Sequence, residues 1–284
     1  MSSSESQNVD FTQLVPYQER KFVPDDADLT DVDQLQKLYN YLINKKISSS
    51  EGLEEWVLMR SELESALDQQ GSIIYIEMTC QTDNVEKAQR YTRFIEKIQP
   101  AVRPLEDRLN QKFVECLDLY PLKPERYGLY AKAVKTDLKL FNERNVPLQT
   151  EIELLSQKYQ TICGAMTVDF QGRERTMPEM GKFLLDPDRN VRKTAWLASS
   201  NRRLQDKDAL EDLFQQMLGK RHQVSINAGY DNFRDYKFQA LHRFDYTAED
   251  CLKYHQSVLE CIVPLRQKIH HHRQEQMRLN KLYK

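Results

Sequence analysis

The sequence predicts a mostly α-helical fold, and two observations carry that expectation. Only 8 Gly and 10 Pro punctuate 284 residues, while Leu, Glu, Gln, Lys and Arg are abundant, a balance that favours long helices over turn-rich sheets. Apolar residues recur at spacings of three and four through most of the chain, the period of an amphipathic helix. A third observation sets the exception: Met166, Val168 and Phe170 alternate ahead of Gly172, so a small β-hairpin is expected over 166–176.

Residues 1–29 are Ser-rich and acidic and contain Pro16 and Pro24, which reads as a polar tail or an arm over the surface. Thr30 and Asp31 can cap a helix in which Val32, Leu35, Leu38, Tyr39, Leu42 and Ile43 share a face. After the break at 48–52, Leu53, Trp56, Val57, Met59, Leu63 and Leu67 mark a second helix, expected to end near Gly71. Residues 72–80 mix Ile and Tyr in partial alternation, and periodicity leaves helix and extended link both open.

Residues 84–119 predict two helices with a corner at Pro100 and Pro104, because proline removes a helix donor and crowds the preceding turn. A further helix is expected over 125–143, and another over 145–164 with Gly164 as its stop. Beyond the hairpin, helical patterns cover 186–204, about 206–228 and nearly all of 245–282. No internal repeat of fixed period occurs. The organisation expected is a tail over 1–29, a helical unit over 30–164 and a second unit over 165–284.

Composition narrows the function classes. With 41 basic and 43 acidic residues the net charge is −2, so no global field draws nucleic acid or an anionic membrane, and neither is expected as a partner. The five cysteines are odd in number and contain no C-x-x-C pair, which fits reduced thiols in the cytoplasm rather than a disulfide framework. No apolar run of about 18 residues and no secretory leader pattern is present.

Chemical motifs are sparse. His270, His271 and His272 are consecutive, and consecutive helical residues diverge by about 100°, so the run reads as a solvated face rather than a metal site. No histidine is followed by Glu, which leaves no H-E-x-x-H zinc motif in these residues. Neither G-x-S-x-G nor a phosphate loop occurs. Arg189, Arg192 and Lys193 lie among Asp186, Asp188 and Asp206 and read as an ion-paired helix surface. Residues 221–246 concentrate aromatic residues among Arg, Asp and Asn, the densest candidate for specific contacts, with a packed core as the plainer reading.

Several stretches together resemble the thimet oligopeptidase and oligoendopeptidase F group of zinc metallopeptidases, in particular its oligoendopeptidase F branch. They are FNERNVPLQTEIELLSQKYQTICGAMTVDFQGRERTM at 141–177, DPDRNVRKTAWLA at 186–198, INAGYDNFRDYKF at 226–238 and RFDYTAEDCLKYHQSVLECIVPL at 243–265. Weaker similarity runs upstream through Trp56, YIEMTCQTDN at 75–84 and FIEKIQP at 94–100.

The resemblance implies a helical lobe of a two-lobed, deep-cleft peptidase that is cytoplasmic and cuts short peptides. It also implies a zinc held by H-E-x-x-H and a later Glu in the complete enzyme, with this chain lying before that site. No catalytic or metal residue is therefore assigned here, and the chain alone is expected to be inactive. Val168 and Phe170, on a strand edge able to pair with an extended peptide, and Tyr230 and Tyr246, in the aromatic segment, are the candidate substrate-binding residues. Three readings stay open: the non-catalytic part of a zinc oligopeptidase, completed by a separate chain carrying the catalytic half; a peptide-binding or interaction module; and a remnant of an interrupted gene.

Overall fold

A computed structural model of the protein describes residues 19–282. Its elements are α1 (Val32–Asn44), α2 (Ser50–Cys80), α3 (Val85–Arg93), α4 (Gln99–Leu119), α5 (Pro124–Leu140) and α6 (Asn145–Gly164). The hairpin β1 (Thr167–Phe170) and β2 (Arg173–Thr176) follows, and then α7 (Met177–Met180), α8 (Arg189–Gln205), α9 (Lys207–Asn227) and α10 (Phe233–Ala240). α11 (Ala248–Ser257) and α12 (Val263–Gln276) complete it. The mostly α expectation and the single small antiparallel sheet are both found.

Local chemistry starts these helices, at Asp31 as expected and elsewhere by caps that the structure adds. Asp31 accepts hydrogen bonds from the backbone of Asp33 and Gln34 at the head of α1, and Ser49 accepts from Gly52 at the head of α2, each satisfying donors that the first turn leaves without partners. Thr176 and Glu179 form a reciprocal capping box at α7, as Thr247 and Asp250 do at α11.

The main core lies among α1 to α5. Leu35, Tyr39, Leu42, Leu53, Trp56, Leu63, Leu109 and Phe113 are essentially inaccessible, and each such apolar side chain contributes about 1.5–3 kcal/mol. Lys112 ties this core to the end of α1. Its ammonium donates to the carbonyls of Leu42 at 2.8 Å, Ile43 at 2.9 Å and Lys45, and it lies 5.7 Å from the centre of the Trp56 ring. Three helix-end carbonyls thus share one cation. Replacing Lys112 by Met keeps the aliphatic stem but removes the cation from the Ile43 and Lys45 carbonyls, leaving Leu42 its bond from Trp56, and should cost about 1–3 kcal/mol in urea unfolding.

Several sequence expectations are revised. The polar arm over 1–29 is packed in its described part: Glu62 accepts from the backbone of Lys21, Phe22 and Val23 at 2.7–3.0 Å, and Val23 and Leu29 join the core. Residues 1–18 lie outside the described residues. The second helix does not end near Gly71 but runs on to Cys80, which resolves 72–80 as helix. A Cβ at Gly71 would stand 3.0 Å from Phe94 Cζ, so this glycine admits a neighbouring ring rather than stopping the helix. At Gly164 the helix does end, but through close approach: a Cβ there would meet Thr82 Oγ1 at 2.6 Å.

The corner expected at Pro100 and Pro104 is absent, and 85–119 is one helical run. A π segment at Phe94–Ile98 lets Gln99 N–H bond to Phe94 five residues back. Pro100 enters the wider turn without the carbonyl clash of a regular helix, and Pro104 sits inside α4. The same device recurs at Val258–Ile262, where Val263 N–H bonds to Val258 ahead of Pro264.

Two smaller clusters lie outside the main core. Val168, Phe170, Met180, Phe183 and Ala195 pack beneath the hairpin. Leu140, Val224 and Tyr236 join α5, α9 and α10. α11 and α12 have no buried residue. Among the described residues, no helix is long and apolar enough to cross a membrane.

Candidate functional site

The hairpin forms where it is expected, with Thr167 opposite Thr176 and Phe170 opposite Arg173. Gln171 and Gly172 both have positive φ, 54° and 72°, the backbone that a two-residue turn matching strand twist requires. Alternation turns Val168 and Phe170 inward, and the Phe170 ring meets Phe183 with 4.9 Å between centroids. The sheet has two strands, so each keeps one edge without a strand neighbour among the described residues. Any peptide pairing there would use the backbone, since the two predicted side chains face their own small core.

The aromatic segment divides. Tyr236 is buried, with Tyr230 and Phe233 packed against its cluster. Tyr246 is exposed and meets Phe238 edge-on, with Arg243 over both rings. Tyr230 and Tyr246 therefore sit in different surroundings, and the structure does not gather the four predicted residues into one pocket.

What it does gather is a polar chamber of about 370 Å³ that no sequence pattern singled out. Its walls come from α2, α4, α5, α6 and α10, with Arg60, Glu64, Arg103, Glu106, Asp137 and Tyr236 among them. Arg60 is 5% exposed and donates from Nε to Glu64 at 2.7 Å and from Nη2 to Asn110 at 2.6 Å. Burial opposes its charge, yet the attraction and hydrogen bond of Glu64 together with Tyr130 and Glu106 outweigh that and hold its pKa above the ordinary value. Its Nη1 is buried and has no hydrogen-bond partner among the described residues. Arg103 donates to Gln149 and to the Val146 carbonyl.

Glu106 is the unusual acid here. Burial first, then the neighbouring Glu64 carboxylate, pushes its pKa up to about 7, against the pull of Arg60 and Arg103. Burial likewise raises Asp107 and takes the Tyr130 hydroxyl up to about 12. One wall is held by amides: Asn145 donates to the Val224 carbonyl at 3.0 Å and accepts from Asn227 at 2.9 Å, so the start of α6 is fixed to the end of α9.

Two family models match the chain. That for the peptidase M3 N-terminal domain covers residues 25–141, and that for peptidase family M3 covers residues 183–284. The chain belongs to peptidase family M3.

Solved structures agree on the fold. A protein described as oligoendopeptidase F, from crystals grown by microfluidic seeding, superimposes with a TM-score of 0.82 at 22% identity over 93% of this chain and 47% of its own. PZ peptidase A with inhibitor 2 gives 0.82 at 22% identity, covering 92% and 47%. An oligoendopeptidase F from Bacillus anthracis gives 0.80 at 21% identity, covering 93% and 49%. This M3 chain spans about half the length of the structures it matches. No curated protein matches it by sequence.

The zinc implied by the family has no fitting donor set here. No group of three or more His, Cys, Asp or Glu able to hold a metal occurs among the described residues. His270, His271 and His272 lie on exposed α12, and His271 faces Glu275 at 3.1 Å. The basic patch resolves partly as expected, with Arg202 paired to Asp206. Arg192 instead donates to the carbonyls of Asp186 and Pro187.

Sequence reading missed the chamber, although a signal was present. Arg60 falls within the apolar stripe of α2 set by Trp56, Val57 and Leu63, and Asn110 does the same between Leu109 and Phe113 on α4. Polar residues at core positions of two helices indicate a buried polar contact.

Proposed function

We propose that this chain forms the non-catalytic lobe of a zinc-dependent oligopeptidase of the oligoendopeptidase F type, acting in the cytoplasm on short peptides. The observation that carries the reading is the pair of M3 matches at 25–141 and 183–284. We assign the metal and its general base to a catalytic half, a reading supported by the lack of any group of three or more His, Cys, Asp or Glu able to hold a metal among the described residues. The lobe's own part is to wall the cleft and to offer the hairpin edge to an extended peptide, where backbone pairing gives affinity without reading side chains.

An apolar face supports a covering partner of the same enzyme. Leu252, Leu259, Ile262, Leu265 and Ile269 are each more than half exposed along α11, the π segment after it and α12, and exposed apolar side chains gathered in one stretch of chain are what an interaction site requires. We assign that face to a chain or segment carrying the catalytic half.

The test is zinc content together with hydrolysis of an internally quenched peptide, measured on residues 1–284 with and without a separately expressed catalytic half. Cleavage and zinc are expected only in the mixture. Peptide binding without zinc or cleavage in either sample would favour an interaction module instead.

A further inference from the structure

We propose that the polar chamber between α2 and α4 is a binding site for an α-ammonium group followed by a carbonyl oxygen, the chemistry of a free amino acid or of a peptide's amino end. This goes beyond the peptidase reading and does not depend on it, because no part of the chamber belongs to the hairpin.

The argument begins with unmet groups. Three of the chamber's carboxylates already have partners: Glu64 with Arg60 at 2.7 Å, Asp107 with Gln111 at 2.6 Å, and Asp137 with His242 at 2.8 Å. Glu106 accepts no hydrogen bond among the described residues and is held only by longer-range attraction to Arg60 and Arg103. On the other side, Arg60 is 95% buried by its 5% exposure, and its Nη1 is without an acceptor among the described residues. Burying an unpaired donor such as Nη1 is costly unless something joins it, and the half-buried Glu106 carboxyl beside it has its acceptor sites open. One ligand end that donates and another that accepts would serve both.

Charge selects among such ligands. Two arginines face Glu64, Asp107, Asp137 and Glu106, so the carboxylates outnumber the cations even before Glu106 ionises. A simple anion is disfavoured, whereas an ammonium on Glu106 with its adjoining carbonyl on Arg60 satisfies both groups. The volume of about 370 Å³ is at the lower end of small-molecule sites, roughly 300–1,000 Å³. It corresponds to roughly a dozen waters at ~30 Å³ each, which suits one or two amino-acid residues.

The full 284-residue chain is titrated calorimetrically at pH 7.5 with L-alaninamide, L-alanine, trialanine and N-acetyl-L-alaninamide. Saturable binding with a Kd of about 1 mM or tighter is expected for an ammonium-bearing probe, and none for the acetylated one. Trialanine binding assigns the site to a peptide's amino end, and binding of L-alanine alone assigns it to a free amino acid. Glu106→Gln keeps the shape and should weaken binding at least about tenfold, as should Arg60→Lys, which retains charge but loses the planar fork. In the wild type, affinity should rise from pH 6 to 7.5 as Glu106 ionises, below the ~8 at which a peptide amino group loses its proton. That rise should vanish in Glu106→Gln. No saturable heat from any ammonium probe on folded protein, equal binding of the acetylated probe, or an unchanged Kd in folded Glu106→Gln would each overturn the proposal.

Discussion

Trp56→Ala should lower the unfolding free energy by about 3–5 kcal/mol, a large part of the ~5–15 kcal/mol that a domain typically possesses. Trp56 is 0% exposed and donates from its indole nitrogen to the Leu42 carbonyl at 2.9 Å. It therefore fills the space between α1 and α2, supplies one of the bonds closing α1, and provides the ring against which Lys112 rests. Truncation opens a cavity among residues already close-packed, and neighbours relax only partly. Trp56→Phe keeps most of the volume but loses the indole hydrogen bond, leaving the Leu42 carbonyl to Lys112 alone, and should fall between, at about 1–2 kcal/mol. Trp196 is 58% exposed, so Trp196→Ala should stay within about 0.5 kcal/mol. Urea unfolding followed by far-ultraviolet circular dichroism reads all three. A loss at Trp56→Ala no larger than at Trp196→Ala would contradict the placement of the α1–α2 core.

The helices that the sequence disclosed are those whose punctuation is local. Asp31, Ser49 and Thr247 are caps that act within three residues, and the hairpin turn at Gln171 and Gly172 is decided by two backbone angles. The misread positions are those where a remote partner changes the meaning of a residue. Gly71 looks like a stop, yet its role is set by Phe94, 23 positions later in the chain and packed against it in space. Pro100 looks like a corner, but the π segment before it accommodates the ring. FIEKIQP and VLECIVP share Glu and Ile at fixed distances from proline, and both fold as a π turn followed by helix.

The candidate sites divide in the same way. Val168 and Phe170 were read from alternation, which placed their strand correctly but says nothing of what lies beneath it, and Phe183 and Ala195 occupy that side. The chamber joins residues from positions 60 to 240, and no short-range spacing can announce such a convergence. Only Arg60 and Asn110, polar at core positions, gave a sign of it.

Glu106 makes stability depend on pH in a direction opposite to that of an ordinary salt-bridged acid. In the folded chain its pKa is raised to about 7 from 4.5, so between those values the folded state holds a proton that the unfolded state has released. Stability is then fully present below about pH 4.5 and declines as pH rises through 7, because unfolding frees the carboxylate to ionise in water. The charges facing it are Glu64, Asp68 and Arg60 on α2 and Arg103 on its own helix, with Asp137 of α5 across the chamber. A shift of this size corresponds to on the order of 3 kcal/mol. Glu106→Gln removes the titration while keeping the shape, so its stability relative to wild type should rise by that order between pH 5 and pH 8, with other titrating groups cancelling in the comparison. Denaturant midpoints measured at half-unit steps would show it, and parallel curves for the two proteins would mean that Glu106 is ionised and solvated in the folded state.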